Sequence, residues 1–280
     1  MKTWNVLLPV VFLLSLASCQ KNDHDTEGVT DEIVEIILAE NQATNLLEDL
    51  EGEVDYFSAS SESSNMQKSA QVGGPCATVT IDVTEETIFP VVVTVDYGDG
   101  CDGLWGHRKS GTIVITKTAP WFQEGAERII EFENFVIDTV AVSGSMTITT
   151  EAFQQNLVSF RTVSNITFTW NETLSLNRTA DITRSLVAGF NTPLDISDNV
   201  IEAEGTATLT FPGGDRYTRQ TIEPLVIMGS CRHIVSGILE IVKNGETAIT
   251  VDYGDGTCDN NVVVSKDGES VEVELNWEEN

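Results

Sequence analysis

The sequence predicts an all-β chain, mainly an antiparallel meander, built as a sandwich or a half-open barrel, with one helix near the N-terminus. Three observations predict it. From Cys76 onward polar and apolar residues alternate, as in Thr78-Val79-Thr80-Ile81-Asp82-Val83, which puts one face of each strand on a core and the other in water. Gly, Asn and Asp punctuate these runs at short intervals, which favours hairpins over βαβ crossovers. One stretch, from about 31 to 50, carries the helical period instead.

The chain begins with the features of an exported protein. Met1-Lys2 supplies a positive start, and Val6 to Leu16 is apolar apart from Pro9 and Ser15. That run is too short for a membrane helix and suits a signal peptide over residues 1–18. Leu16-Ala17-Ser18-Cys19 resembles the lipobox of bacterial lipoproteins. The resemblance implies that Cys19 carries a diacylglyceryl group and becomes the new N-terminus, anchoring the chain to the outer membrane. One acyl chain anchors only marginally, at about 0.8 kcal/mol per buried methylene, so several chains would make the attachment persistent. Cys19-Gln20-Lys21-Asn22-Asp23 is similar to the export signal of Bacteroidota surface lipoproteins, which implies display on the cell surface, with a periplasm-facing position as the alternative.

Residues 19–75 form a lipidated tether in this reading. Thr30-Asp31-Glu32 offers an N-cap and acids for the first helical turn. Ile33, Ile36, Ile37, Ala43, Leu46, Leu47 and Leu50 then recur at helical spacing. Such a helix would pack on the β body or act as a spacer. Residues 58–74, Ser-rich and followed by Pro75, read as a linker. Residues 76–280 read as one β domain. Its strand-like runs are 78–83, 91–95, 112–116, 128–137, 145–149, 158–163, 165–170, 206–211, 234–242, 247–251 and 270–275.

Charge narrows the partners. The 280 residues hold 44 acids against 15 bases, a formal net charge of -29. Residues 1–18 contain one base and no acid, so removing them leaves 14 minus 44, or -30. Such a surface repels phosphate backbones and anionic headgroups, which argues against nucleic acid and against membrane binding by charge alone.

The strongest internal signal is an echo. Val93-Thr94-Val95-Asp96-Tyr97-Gly98-Asp99-Gly100-Cys101-Asp102 recurs as Ile249-Thr250-Val251-Asp252-Tyr253-Gly254-Asp255-Gly256-Thr257-Cys258-Asp259. Each copy has an upstream cysteine, Cys76 or Cys231, and a following strand. Related hairpin units are therefore expected at 76–117 and 231–275. They would be two pseudo-repeated halves, or first and last strands paired to close one sheet. With Cys19 lipidated, four cysteines remain, which allow three pairings. The echo favours Cys76–Cys101 and Cys231–Cys258, and export permits disulfides.

These motifs together resemble a family of uncharacterised Bacteroidota lipoproteins: a lipobox, an acidic helix, then Pro90-Val91-Val92-Val93-Thr94-Val95-Asp96-Tyr97-Gly98-Asp99-Gly100-Cys101, and a closing Tyr253-Gly254-Asp255-Gly256-Thr257-Cys258. The resemblance implies a shared fold and location and brings no activity with it.

Candidate sites are few. Asp96, Asp99, Asp102, Asp252 and Asp255 put carboxylates into Gly-rich turns, an oxygen-rich chemistry that Ca²⁺ accepts, but without the spacing of an EF-hand loop. Asp-Gly is also ordinary hairpin chemistry, and a structural turn is the simpler reading. Trp105 and Trp121 lie in loop-like contexts and would stack a sugar ring if exposed. The three histidines show no partners for metal or triad chemistry, and there is no nucleophile elbow or phosphate loop. The expectation is a lipid-anchored envelope protein, a non-enzymatic binding or structural module with a glycan or protein ligand. A surface hydrolase and a Ca²⁺-stabilised adhesion module are the alternatives. Ca²⁺ is the one ligand ion these turns suggest, and no other cofactor is implied.

Overall fold

The computed structural model describes residues 28–62, 76–83, 89–103, 106–155, 157–171, 174–190, 192, 196–231, 233–244 and 246–275. The expected signal peptide, Cys19 and the tether before residue 28 lie outside them. A helix, α1 (Asp31–Glu62), precedes fourteen strands: β1 (Thr78–Val83), β2 (Val91–Asp96), β3 (Cys101–Asp102), β4 (Arg108–Lys117), β5 (Glu127–Ile137), β6 (Val140–Gln154), β7 (Leu157–Thr169), β8 (Ser175–Ala188), β9 (Val200–Thr210), β10 (Arg216–Met228), β11 (His233–Lys243), β12 (Ile249–Asp255), β13 (Asn261–Lys266) and β14 (Glu269–Glu274). All pairings are antiparallel and nearly all join neighbours in the chain, giving the expected meander as one continuous sheet. β1 and β14 are its two edges, so the first and last strands do not close it.

The helix begins where the sequence places it. The Ile33 amide donates to Thr30 Oγ1 at 3.4 Å, and Asp31 and Glu32 occupy the first turn. It runs to Glu62, past the expected end near residue 50 and into the Ser-rich segment. The sheet curls round it. Ile36, Ile37, Ala43, Leu50 and Val54 pack among Val93, Val95, Ile113, Ile115, Ile130 and Val251 in one core. From Ile33 onward Glu35 is the one exposed residue among the described side chains of the helix. A helix buried round most of its circumference must also bury polar groups, and each of those needs a partner.

Glycines let the strands bend. Gly144 in β6 has φ 110°, and a Cβ there would lie 2.1 Å from the Asn165 carbonyl oxygen of β7. Gly205 in β9 has φ 147°, and its Cβ would lie 2.1 Å from the Asp181 oxygen of β8. Only glycine allows neighbouring backbones to approach this closely, the device that curves a sheet on purpose.

The meander gives the sheet two rims. One carries the β4–β5, β6–β7, β8–β9, β10–β11 and β12–β13 connections, and the other carries the β5–β6, β7–β8, β9–β10, β11–β12 and β13–β14 turns. The helix crosses between them on a diagonal. Glu32 at its start meets Lys243 at the end of β11, 3.0 Å away on the second rim. Ser58 near its end accepts a hydrogen bond from Lys117 at the end of β4, 2.9 Å away on the first rim.

Strands β3, β8, β10 and β13 have no counterpart among the expected runs. In β8 and β10 the inward positions include Arg178, Arg184 and Arg219, all buried. Cations at core-facing positions disguise the alternation that marks a half-buried strand.

Candidate functional site

The inner face of the sheet carries buried bases, and most of them meet carboxylates on the helix. Lys109 Nζ lies 2.6 Å from Asp49 and 2.7 Å from Glu53. Arg128 pairs with Asp55. Arg184 pairs with Glu51 and, at 2.7 Å, with Glu48. Glu40 serves two guanidiniums, Arg178 at 3.2 Å and Arg219 at 3.1 Å. Replacing such a pair by a packed apolar pair is often neutral, whereas removing one partner costs about 3–5 kcal/mol. These pairs therefore fix where the helix lies rather than add net stability. No motif in the sequence announced them. The signal was parity: Lys117, Arg128 and Arg178 fall in phase with the buried Ile115, Ile130 and Leu176.

The charges do not balance along the middle of the helix. Burial pushes the Glu51 carboxyl up to about 7. Arg184 pulls it down, while Glu48 and Asp55 push it further up. Arg184 itself is held protonated despite its burial by Glu48, Glu51 and Asp55.

Above these pairs a trough of about 690 Å³ runs along the helix, within the range of ligand-binding cavities. Its floor is the helix stripe Leu38, Asn45, Gly52 and Ala59, flanked by Asn41, Glu48 and Asp55 on one side and Gln42, Asp49 and Tyr56 on the other. This seven-residue spacing defines one continuous face. The wall is a single rung of the sheet. Register aligns Phe153 of β6, Val158 of β7, Leu186 of β8, Ile201 of β9 and Ile227 of β10, and all five line the trough. Five strands at the usual spacing make this rung roughly 19 Å long.

Trp121, expected to stack a ligand, stands at the β6 end of that wall. Its ring is 5.1 Å from Phe153, edge-on, and 6.2 Å from Phe160. The Thr150 hydroxyl donates to the Trp121 carbonyl at 2.5 Å and fixes the loop. Phe122, beside it, is exposed. Trp105 lies outside the described residues. His107 also lines the trough, with Nδ1 2.5 Å from Asp138, whose other oxygen accepts from the Arg108 amide at 2.9 Å. Among the described residues no nucleophile is bonded to His107.

Both expected disulfides are present, Cys76–Cys101 and Cys231–Cys258. They sit at opposite rims, because the two echo copies lie on strands that end at opposite rims. The echo carboxylates hold their own turns. Asp96 Oδ1 accepts from the Gly98 amide at 2.8 Å, and Asp252 Oδ1 accepts from the Gly254 amide at 2.9 Å. Asp255 accepts from the Thr257 amide at 3.3 Å and hydroxyl at 2.7 Å, which holds its carboxyl below the usual range. Asp99 and Asp102 are exposed. Among the described residues no group of three or more His, Cys, Asp or Glu is placed to hold a metal ion, and no helix is long and apolar enough to cross a membrane.

No family model, curated protein or solved structure matches the chain.

Proposed function

We propose that this chain is an exported envelope protein, tethered to the outer membrane through lipid on Cys19 and facing the cell surface, and that it binds an elongated ligand in the trough without catalysis. The trough carries the binding half of this reading. It joins a continuous apolar wall to a row of amides and carboxylates, the pairing that holds and orients a ligand. The wall is aliphatic along most of its length and aromatic only near Trp121 and Phe153. That lining favours the side chains of a peptide segment over the faces of a sugar chain. The half-exposed His107–Asp138 pair gives no support to a hydrolase.

Two measurements test the two halves. Metabolic labelling with a fatty-acid probe should mark the wild-type chain and leave Cys19→Ala unmarked; equal labelling of both would overturn the anchor. Screening peptide and oligosaccharide pools by Trp fluorescence should give saturable binding that falls at least tenfold in Leu186→Asp, which places a charge in the wall. Binding that survives this change would move the site elsewhere.

A further inference from the structure

We infer that the trough selects a basic amphipathic peptide segment, its apolar side chains on the sheet rung and its lysine or arginine side chains along the helix flank. This rests on the trough being a ligand site and adds the charge of what it holds.

The flank offers acceptors to a ligand. Asn41 is only 5 % exposed, lines the trough, and makes no side-chain hydrogen bond among the described residues. Its amide atoms keep some exposure in the trough, where the oxygen is open to a ligand donor. Asn45, one turn on in the adjoining floor, is half-buried and likewise lacks a side-chain hydrogen bond among the described residues. Glu48 and Asp55 follow on the same side and accept only.

Charge points the same way. Asp49, Glu48, Glu51, Glu53 and Asp55 are five carboxylates, and Lys109, Arg128 and Arg184 are the three cations paired with them. Five carboxylates share three cations beside a half-enclosed cavity, an excess of acid that remains even with Glu51 pushed up, chiefly by its burial, to about 7. A ligand cation placed there meets carboxylates that outnumber the protein cations they share, in a medium of reduced dielectric. Tyr56 and Trp121 add ring faces to which a cation is also attracted. The net charge of -29 steers such ligands toward the molecule. Length fits as well, since a rung of roughly 19 Å spans about six residues of extended peptide.

The test uses the folded chain at about 0.15 M salt, where distant surface charge is screened. The probes are three fluorescein-labelled, end-blocked hexapeptides, alternating Leu–Lys, Leu–Gln and Leu–Glu, with unlabelled maltohexaose as competitor. We expect Leu–Lys to bind at least tenfold more tightly than Leu–Gln, Leu–Glu not to bind, and maltohexaose not to compete. Asn45→Lys should weaken Leu–Lys binding about tenfold, and Asn45→Asp should tighten it. Thr218→Lys, the same charge change on the exposed outer face, should alter it less than twofold. If Leu–Gln binds as well as Leu–Lys, the trough is a peptide site without charge selection and this inference falls alone. Equal weakening by Asn45→Lys and Thr218→Lys would reduce the preference to general surface charge and also overturn it. Competition by maltohexaose would assign the trough to glycan, and failure of every probe to bind would remove the ligand-site reading as well.

Discussion

The two Asp-Tyr-Gly-Asp-Gly units share a sequence and a staple, yet they hold the helix in different ways. In the first, Tyr97 is buried and its hydroxyl donates to Glu53 at 2.6 Å, while Lys109 reaches the other oxygen of Glu53 at 2.7 Å and Asp49 at 2.6 Å. In the second, Tyr253 is equally buried but makes no hydrogen bond to the helix among the described residues. It stands by Arg219 and Arg178, which share Glu40. Repetition thus reproduces the strand, the turn and the disulfide. The helix contact is set by whichever bases face inward nearby. One anchor has acids to spare, and the other has one acid between two cations.

The comparison breaks most visibly at Glu40. Glu40→Ala leaves Arg178 and Arg219 buried with neither paired to its carboxylate, and should cost about 5 kcal/mol. Glu53→Ala leaves Lys109 still paired with Asp49, and should cost about 3 kcal/mol. Urea midpoints compare the two directly, and an equal or reversed order would refute the account. Between the anchors, Glu51 provides a pH signature. An exposed glutamate titrates near 4.5 and this one is pushed up to about 7, so between those values the folded chain holds a proton that the unfolded chain releases. Its contribution is complete below pH 4.5 and is lost as the pH rises through about 7, a decline of up to about 3 kcal/mol. Glu51→Gln should flatten the fall in urea midpoint over this window; an unchanged slope would assign the fall to other groups. The smallest effect sharpens the contrast between the repeats. Tyr97→Phe should cost about 2 kcal/mol, because its hydroxyl serves a buried carboxylate, and Tyr253→Phe less than about 1 kcal/mol.

How much was readable beforehand follows from which residues point inward. Alternation exposed β1, β2 and β11 because their core positions are Val, Ile and Leu. It failed at β8 and β10, where arginines replace some of those residues. The helix start was legible from Thr30 and the acids after it. Its end was not, because Phe57 and Ser58 are buried by strands distant in sequence, and a Ser-rich stretch carries no local sign of that. The cysteine pairing was legible because the echo repeats it. Of the site, Trp121 was found by its loop context. The rung from Phe153 to Ile227 was not, because each strand gives it one ordinary apolar residue and only register aligns them. The pairing of the helix acids was not legible, because it required bases 56 to 211 residues further along the chain.

That separation has a consequence for how the molecule comes into being. The helix leaves the ribosome before any of the strands that cover it. Its first turn meets Lys243 only across 211 residues. Until β11 has followed, Glu32 lacks this partner and the wrapping cannot finish. Contacts of such long range make folding slow, so the completed shape belongs to the chain only after nearly all of it has been made.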